Sequence, residues 1–224
     1  PEYEIYTRYS YSSNEKKGLS NPVVGRTIED KDGNLWIGTE GGGLNYYNRR
    51  TREFKWYRPQ EGRNSISHNN VKALYYDADK EIIWIGTHLG GLNKLDIRSG
   101  HFTHYRMEEG NPATLPSDII RDIIPYKSLL IVATQNGVCL FNPANGQCQQ
   151  LFKDSKEGKS IKMIADVTFD SEGTLWIAAT GEGVFSYRFD TRKLTNYRHD
   201  ATNPNSLSNN NVNNITQDSK GNLW

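Results

Sequence analysis

Apolar and aromatic residues recur along the chain in short runs, and glycine, asparagine and aspartate separate these runs. One run, Leu-Trp-Ile-Gly-Thr, follows Asp-Lys-Asp-Gly-Asn at residues 30–34 and ends at Thr39. Related runs end at Thr87, Thr134 and Thr180, so the steps of the repeat are 48, 47 and 46 residues. No window has the sustained 3.6-residue spacing of an amphipathic helix. The pattern therefore predicts a repeat protein built from short strands.

Each repeat contains four predicted strands joined by turn sequences. The first strand ends near an aspartate, the second is Leu-Trp-Ile-Gly-Thr or a variant, the third begins with Gly-Leu or Gly-Val, and the fourth ends in an aromatic residue. Asp-Gly-Asn, Gly-Gly and Asn-Gly sequences between the strands are turn signals. Four strands in a unit of about 47 residues are the signature of a β-propeller blade. The predicted fold class is therefore all-β, a β-propeller.

The 224 residues are predicted to form one propeller segment with four complete blades and a part-blade at each end. The complete blades are expected at approximately 24–57, 71–105, 120–152 and 164–197. The part-blades are expected at 1–9 and 211–224. A sheet that stops inside its second strand leaves an open edge, which natural domains avoid. The segment is therefore interpreted as an arc of a larger propeller, and a five-bladed ring whose ends share one blade is the alternative.

Tryptophan occupies the same position of the second predicted strand in several repeats. A side chain that recurs at one register position is best explained by packing between blades, because tryptophan buries a large area. The predicted blade-core tryptophans are Trp36, Trp84, Trp176 and Trp224. The Asp–Gly pair that precedes them is expected to form the turn between the first and second strands, with the aspartate accepting hydrogen bonds from loop amides.

Composition and motifs narrow the function classes. The chain has 27 Lys and Arg against 26 Asp and Glu, and a net charge of +1 gives no reason to expect nucleic acid binding. No run of 18 apolar residues is present, and the first residues lack the basic and apolar regions of a signal peptide. Nucleophile-elbow, zincin and phosphate-loop motifs are absent from the sequence, as is zinc-ligand spacing. No catalytic residue, cofactor or metal is predicted.

The two cysteines, Cys139 and Cys148, flank a turn at residues 142–146 in the third predicted blade. If they face each other across that hairpin, a disulfide is geometrically plausible. A disulfide would indicate an oxidising compartment. Ordinary buried thiols are the equally weighted alternative.

Two sets of loops are predicted to reach one face of the propeller, where ligand sites of such folds lie. Their residue types vary while the flanking strands repeat, which suits recognition better than packing. The loops between second and third strands supply Glu40, His88, Gln135 and Glu182. The loops that lead into first strands supply His68, Asn69, Asn70, Ser117, Asp118, Asn209 and Asn210. Amides and carboxylates suit the hydroxyl groups of a neutral sugar, although asparagine before a strand also satisfies backbone groups.

Leu-Trp-Ile-Gly-Thr followed by Gly-Gly-Leu-Asn, with the lead-in sequences at 65–71 and 206–212, resembles the two-component regulator propeller repeat. Leu130 departs from the pattern, because it stands where the other blades have tryptophan. The resemblance implies a propeller of about seven blades in the periplasmic sensor region of a Bacteroides-type hybrid two-component sensor histidine kinase. Such proteins sense oligosaccharides and regulate polysaccharide utilisation.

The same resemblance implies the partners of this chain. They are an oligosaccharide ligand, the rest of the sensor ectodomain and a second copy of the parent protein in a homodimer, with the membrane reached only through the parent's transmembrane helix. Kinase catalysis is expected outside these residues, since the sequence has no phospho-accepting histidine motif or nucleotide loop.

Two other functions stay open at this point. Streptogramin-lyase-like propellers have similar tryptophan-bearing blades, so a lyase or glycoside-active enzyme is one alternative. A structural propeller that binds other proteins and no small ligand is the second, and a large exposed apolar patch would favour it.

Overall fold

The computed structural model describes residues 7–153, 155 and 157–224. Four antiparallel sheets of four strands each account for its strands, and in every sheet the strands lie in chain order from one edge to the other. This architecture confirms the predicted all-β class with four-stranded blades. We name the sheets blade 1 to blade 4 in chain order. Residues 1–6 of the expected first part-blade lie outside the described residues.

The strand bounds are as follows. Blade 1 contains β1 (Val24–Glu29), β2 (Leu35–Thr39), β3 (Gly43–Asn48) and β4 (Glu53–Tyr57). Blade 2 contains β5 (Val71–Asp77), β6 (Ile82–Thr87), β7 (Leu92–Asp96) and β8 (His101–Tyr105). Blade 3 contains β9 (Ile120–Tyr126), β10 (Leu129–Thr134), β11 (Gly137–Phe141) and β12 (Cys148–Gln150). Blade 4 contains β13 (Ile164–Phe169), β14 (Leu175–Ala179), β15 (Gly183–Arg188) and β16 (Lys193–Tyr197).

Two short 3₁₀ helices complete the regular structure, at Glu15–Lys17 and Gly158–Ser160. Among the described residues, no helix is long and apolar enough to cross a membrane. Residues 211–224 form a hairpin, not two assigned strands: the backbone groups of Thr216 and Trp224 exchange hydrogen bonds of 3.1 and 2.8 Å.

The chain divides into two compact units. The first consists of Pro1–Ile85 and Asn93–Thr103, and the second of Gly86–Leu92 and His104–Trp224. In the first unit β1 lies beside β5, and in the second β9 lies beside β13, so first strands of successive blades are neighbours. Each unit has its own apolar core, because the second strands are buried on both faces. The first core contains Trp36, Leu44, Ile66, Val71, Leu74, Ile83, Ile85, Leu95 and Phe102. The second contains Ile131, Ala133, Val138, Ile161, Ile164, Val167, Leu175, Ile177, Ala179 and Phe185.

The turn between the first and second strands is organised by its aspartate, as predicted. Asp30 Oδ1 accepts from the backbone amides of Asp32 and Asn34 at 3.0 and 2.9 Å, and its Oδ2 accepts from Trp36 Nε1 at 3.1 Å. Asp170 and Asp218 make the same three contacts with their own turns and tryptophans. One carboxylate therefore caps the turn and also holds the core indole.

Three of the predicted tryptophans lie in complete blades. Trp36 and Trp84 are buried, with 2% and 1% of their surface exposed, and Trp176 is half-buried. Trp224 is the last residue of the sequence, and its indole donates to Asp218 at 3.0 Å. Its place in a blade core stays a prediction.

A polar link inside the core was not predicted. The side chain of Asn45 in β3 is fully buried; its Oδ1 accepts from the backbone amide of Ser20 at 2.8 Å and its Nδ2 donates to Ser20 Oγ at 2.7 Å. Asn93 in β7 makes the equivalent pair of bonds with Ser67, both at 2.8 Å. The link fixes each lead-in segment to the third strand of the blade that follows it.

Candidate functional site

Backbone hydrogen bonds bring the two predicted loop sets side by side at one end of the strands. In the first unit the amides of Gly41 and Gly43 both donate to the carbonyl of Asn69, at 3.2 and 2.7 Å. In the second unit the amides of Gly181 and Gly183 donate in the same way to Asn210, at 3.2 and 3.0 Å. Two backbone hydrogen bonds thus join each of these two loops to the lead-in segment that follows its blade.

The cluster in the first unit combines three predicted residues with a lysine. Glu40 forms an antiparallel bridge with Asn70, and its carboxylate makes an ion pair with Lys72. The side chain of Asn69 is exposed, whereas Asn70 Oδ1 is enclosed and has no hydrogen-bond partner among the described residues. His68 Nδ1 accepts from the backbone amide of Asn70 at 3.1 Å, so this ring nitrogen shapes the loop. The cluster offers adjacent acceptors and a cationic donor.

The cluster at blade 4 has the same chemistry. Glu182 makes an ion pair with Arg198, whose guanidinium also reaches the carbonyl of Gly181 at 3.4 Å. Asn210 Oδ1 accepts from the backbone amide of His199 at 2.7 Å, and Asn209 Oδ1 accepts from the backbone amide two residues later at 2.8 Å. The asparagines here order the loop, and the carboxylate–guanidinium pair is the exposed polar feature.

Gln135 and Arg121 form the corresponding pair in blade 3. Gln135 is half-buried; its backbone amide donates to Ile119 at 2.9 Å and its carbonyl accepts from Met163 at 2.8 Å. Its side-chain Oε1 accepts from an Arg121 guanidinium nitrogen at 3.4 Å. Here a neutral amide takes the place of the carboxylate.

His88 lies in a loop of the second unit that is braced by Arg106. Arg106 donates to the carbonyl of Leu89 at 2.7 Å and to Asp118 Oδ2 at 3.2 Å. The other carboxylate oxygen of Asp118 accepts from the amide of Met107 at 2.8 Å, so this predicted residue is committed to holding the loop. His88 is half-buried, and its Nδ1 is enclosed without a hydrogen-bond partner in the described part of the chain.

Two groups of basic residues beside these loops were missed from the sequence. Arg58, Arg106 and Arg198 each follow the tyrosine that ends a fourth strand, and each donates to a carbonyl of the loop between the second and third strands. Lys72 and Arg121 hold the second position of first strands. The Tyr-Arg dipeptide at three equivalent places was a usable signal. The first-strand cations gave no such sequence signal, because their partners depend on long-range packing.

An apolar groove of 490 Å³ runs along blade 4 in the second unit. Trp176, Val184 and Tyr197 line one side. In blade 1, the equivalents Trp36 and Tyr57 belong to a core with blade 2, where Tyr57 meets Phe102 at a centroid distance of 5.9 Å. By this equivalence the groove is a blade-packing face, and it is not assigned to a small ligand.

No group of three or more His, Cys, Asp or Glu in the described ranges is arranged to hold a metal ion. Cys139 and Cys148 are free, buried thiols in neighbouring strands of blade 3.

The two component regulator propeller family matches the chain at residues 18–41, 65–88 and 206–224. These stretches contain the Ser-bearing lead-ins, and two of them continue through the tryptophan strands. No curated protein matches the chain.

Two solved structures share the fold. One is the extracellular domain of a protein assigned as a one component system from B. thetaiotaomicron, with a TM-score of 0.74, 23% identity, and coverage of 96% of this chain and 27% of that chain. The other is the extracellular domain of a protein assigned as a hybrid two component system from the same organism, with a TM-score of 0.70, 22% identity, and coverage of 96% and 34%. The chain thus spans about a third or less of the length of each domain.

Proposed function

The chain carries repeats of the two component regulator propeller family, and from that premise we propose that it is a ligand-sensing part of the extracellular region of a hybrid two-component sensor histidine kinase. The ligand is an oligosaccharide, and the parent protein regulates polysaccharide utilisation. The segment itself binds and does not catalyse; the kinase reaction belongs to other domains of the parent. The location that fits this role is the periplasm.

One observation carries the assignment to the loops. In three of the loops between second and third strands, an oxygen-bearing side chain is paired with a cation: Glu40 with Lys72, Gln135 with Arg121, and Glu182 with Arg198. The cation comes from a different element in each blade: the first strand of the next blade, the first strand of the same blade, or the residue after the fourth strand. Such a pair offers an acceptor and a donor a few ångströms apart. Neighbouring hydroxyl groups of a sugar ring need that combination, because each hydroxyl both donates and accepts.

The residues have distinct roles in this proposal. Glu40 and Glu182 accept hydrogen bonds from sugar hydroxyls, and Lys72 and Arg198 donate to the hydroxyl oxygens. Asn69, whose side chain is exposed, supplies a further amide. His88 and Gln135 belong to the corresponding loops of blades 2 and 3, whereas His68, Asn70 and Asn209 support the backbone.

Oligosaccharide binding without chemical change is expected from this segment. The other partners in the proposal are the rest of the ectodomain and a second copy of the parent, through which binding is transmitted.

Calorimetric titration of the full ectodomain against plant, host and microbial oligosaccharides tests the proposal, with chromatography of each mixture afterwards. We expect saturable heat with one sugar and recovery of that sugar unchanged. Glu40→Gln and Glu182→Gln should each weaken binding about ten- to a hundredfold, since a hydrogen bond to a charged group contributes about 1.5–3 kcal/mol.

Glu172→Gln is the matched control. Glu172 is also a glutamate, with a more exposed side chain, but it lies in the turn at the opposite end of β14. Its substitution should leave affinity unchanged. A chemically altered sugar would establish the enzyme alternative, and absence of heat with every sugar would favour the protein-interaction propeller.

A further inference from the structure

Blade 3 contains a pair of thiols in direct contact. In the antiparallel ladder of β11 and β12, Cys139 is opposite Gln150 and Cys148 is opposite Phe141. Directly opposed residues project to one face of a sheet, so the two cysteines are diagonal neighbours on a shared face. Their Sγ atoms are 2.7 Å apart, and the side chains are 0% and 6% exposed.

The pair stands where blades 1 and 2 carry the buried polar link. Cys139 occupies the same register position as Asn45 and Asn93, because each of the three directly follows a Gly-Leu or Gly-Val pair. The serine that Asn45 and Asn93 bind is replaced in blade 3 by Pro116, which has no side-chain hydroxyl and no backbone N–H. Blade 3 therefore lacks both halves of that link.

The strand that holds Cys148 is the shortest of the four fourth strands. β12 has three residues, whereas the fourth strands of the other blades have five. The backbone amide of Cys148 also donates to the carbonyl of Ala113 at 2.7 Å, so the position of β12 sets the lead-in of its own blade. A covalent bond at Cys148 would hold strand and lead-in together.

We propose that Cys139 and Cys148 are oxidised to a disulfide that fastens β12 to β11 and replaces the Asn–Ser link of blades 1 and 2. The proposal rests partly on the proposed function, since the periplasm is an oxidising compartment and the cytosol is not. The oxidant is the disulfide of a thiol oxidase, or oxidised glutathione in vitro. One cysteine thiolate attacks the oxidant's disulfide, breaks its S–S bond, forms a mixed disulfide and expels one oxidant sulfur as a thiolate. The second cysteine thiolate attacks the cysteine sulfur of the mixed disulfide, forms the Cys139–Cys148 bond and expels the other oxidant sulfur. Two electrons and the two cysteine protons pass to the oxidant, whose sulfurs become two thiols.

The bond has to form before blade 3 is closed. Burial, together with the neighbouring Cys148 thiol, raises the pKa of Cys139 well above its usual value, so little thiolate exists in the folded protein. The same burial shields a finished bond from reductants. Oxidation during folding and resistance to reduction afterwards are the expected signature.

The experiment uses the chain unfolded in denaturant with reductant, then refolded with oxidised glutathione or with dithiothreitol. Each sample is denatured again, alkylated with iodoacetamide and measured by mass spectrometry. After refolding with oxidised glutathione, we expect no alkylation and a mass two hydrogen atoms below that of the reduced, unalkylated chain. After refolding with dithiothreitol, we expect two alkylated cysteines. Two alkylated cysteines, or glutathione adducts on both, after refolding with oxidised glutathione would overturn the proposal.

Stability provides the second readout, and its main comparison uses only the wild-type chain in its two redox states. The oxidised chain should unfold at a clearly higher urea concentration than the reduced chain. Cys148→Ser, which keeps one thiol, should show the same midpoint with either reagent. Equal midpoints for oxidised and reduced wild-type chain would also count against a stabilising disulfide.

A final arm separates this inference from the proposed function. The parent protein is isolated from its source cells with thiols trapped by alkylation at lysis, and the state of the cysteines is read. Oxidised cysteines are expected. Reduced cysteines, in a chain that oxidises on refolding, would overturn the disulfide as a native feature and count against the periplasmic location. The oligosaccharide titration tests the sensing role independently of either result.

Discussion

At the scale of single residues, an aspartate that recurs in three of the turns joins local structure to the tryptophan of the second strand. Asp170 shows the effect. Burial alone would raise its pKa, but the Trp176 indole N–H and the amides of Thr174 and Glu172 favour the charged form and lower the pKa below its usual value. The same contacts lower the pKa of Asp218 to about 2.

Asp170→Asn should therefore destabilise the chain by about 1–3 kcal/mol at pH 7, because the new amide presents N–H groups where the indole needs an acceptor. Urea unfolding followed by tryptophan fluorescence measures the loss. Glu172→Gln in the same turn, with an exposed side chain, should leave the free energy of unfolding almost unchanged. Equal losses in both variants would contradict the role assigned to the carboxylate.

The sign of the accompanying pH effect follows from the lowered pKa. The unfolded chain binds these protons near the usual value of 3.8, and the folded chain binds them only at lower pH. The stabilisation is thus present above about pH 4 and is lost as the pH falls through the folded-state pKa. Between pH 5 and pH 2, the free energy of unfolding of Asp170→Asn should fall less steeply than that of the wild-type chain. Urea unfolding of both chains at a series of pH values measures the difference.

The buried amide of Asn93 is the second residue-scale feature with a measurable consequence. Asn93→Ala should cost about 1–3 kcal/mol, because it leaves the amide of Ser67 without its acceptor. A double-mutant cycle with Ser67→Ala should give a clear coupling energy, since Asn93 Nδ2 also donates to Ser67 Oγ. Asn213→Ala, at an exposed position, is the control, and additive effects in the cycle would contradict the link.

At the scale of elements, a glycine stands at the first position of the third strand, or directly before it, for a steric reason. Gly43, Gly91 and Gly183 have φ values of 82°, 69° and 80°, and a Cβ at each would collide with the carbonyl of the tyrosine that ends the fourth strand. Gly137 in blade 3 meets no such carbonyl, and its fourth strand ends differently. The close approach belongs to blades whose fourth strand ends in Tyr-Arg.

Gly183→Ala and Gly181→Ala form a matched pair that separates steric clash from backbone strain. Both glycines have φ near 80°, but a Cβ at Gly181 meets nothing within 4 Å, whereas one at Gly183 meets Tyr197. Both variants should lose about 1–2 kcal/mol from left-handed strain. Gly183→Ala should lose more, because β15 and β16 must move apart. Equal midpoints in thermal unfolding would show that the carbonyl contact has no energetic weight.

At the scale of the whole molecule, the two compact units have separate apolar cores. Ile85 and Ile177 are equivalent residues of second strands; both are fully buried, one in each core. In repeat proteins each unit contacts mainly its sequence neighbours, so stability is a sum of local terms. A core substitution should therefore be felt most in its own unit.

Ile85→Ala and Ile177→Ala should each cost about 2–5 kcal/mol. Hydrogen exchange with peptide resolution should show the loss of protection mainly in 7–85 for the first variant and mainly in 104–224 for the second. A uniform loss across both units, from either substitution, would indicate one cooperative unit and contradict this expectation.

Much of the fold follows from the sequence alone. The repeat, the four strands of each blade and the Asp–Gly turns are local properties: side-chain alternation and turn chemistry act over a few residues. The candidate loops could also be found, because they interrupt a regular repeat at fixed places. The sequence could not show which of these loop side chains are available to a ligand. His68, Asp118 and Asn209 accept hydrogen bonds from loop amides, whereas the Asn69 side chain is exposed, and these contacts are visible only in the structure.

The tertiary structure decided which distant residues meet. Glu40 finds Lys72, and Asn93 finds Ser67, across separations that no local pattern encodes. The physical reason is common to both: turn chemistry depends on a residue and its chain neighbours, whereas side-chain pairing depends on which surface another strand brings against it.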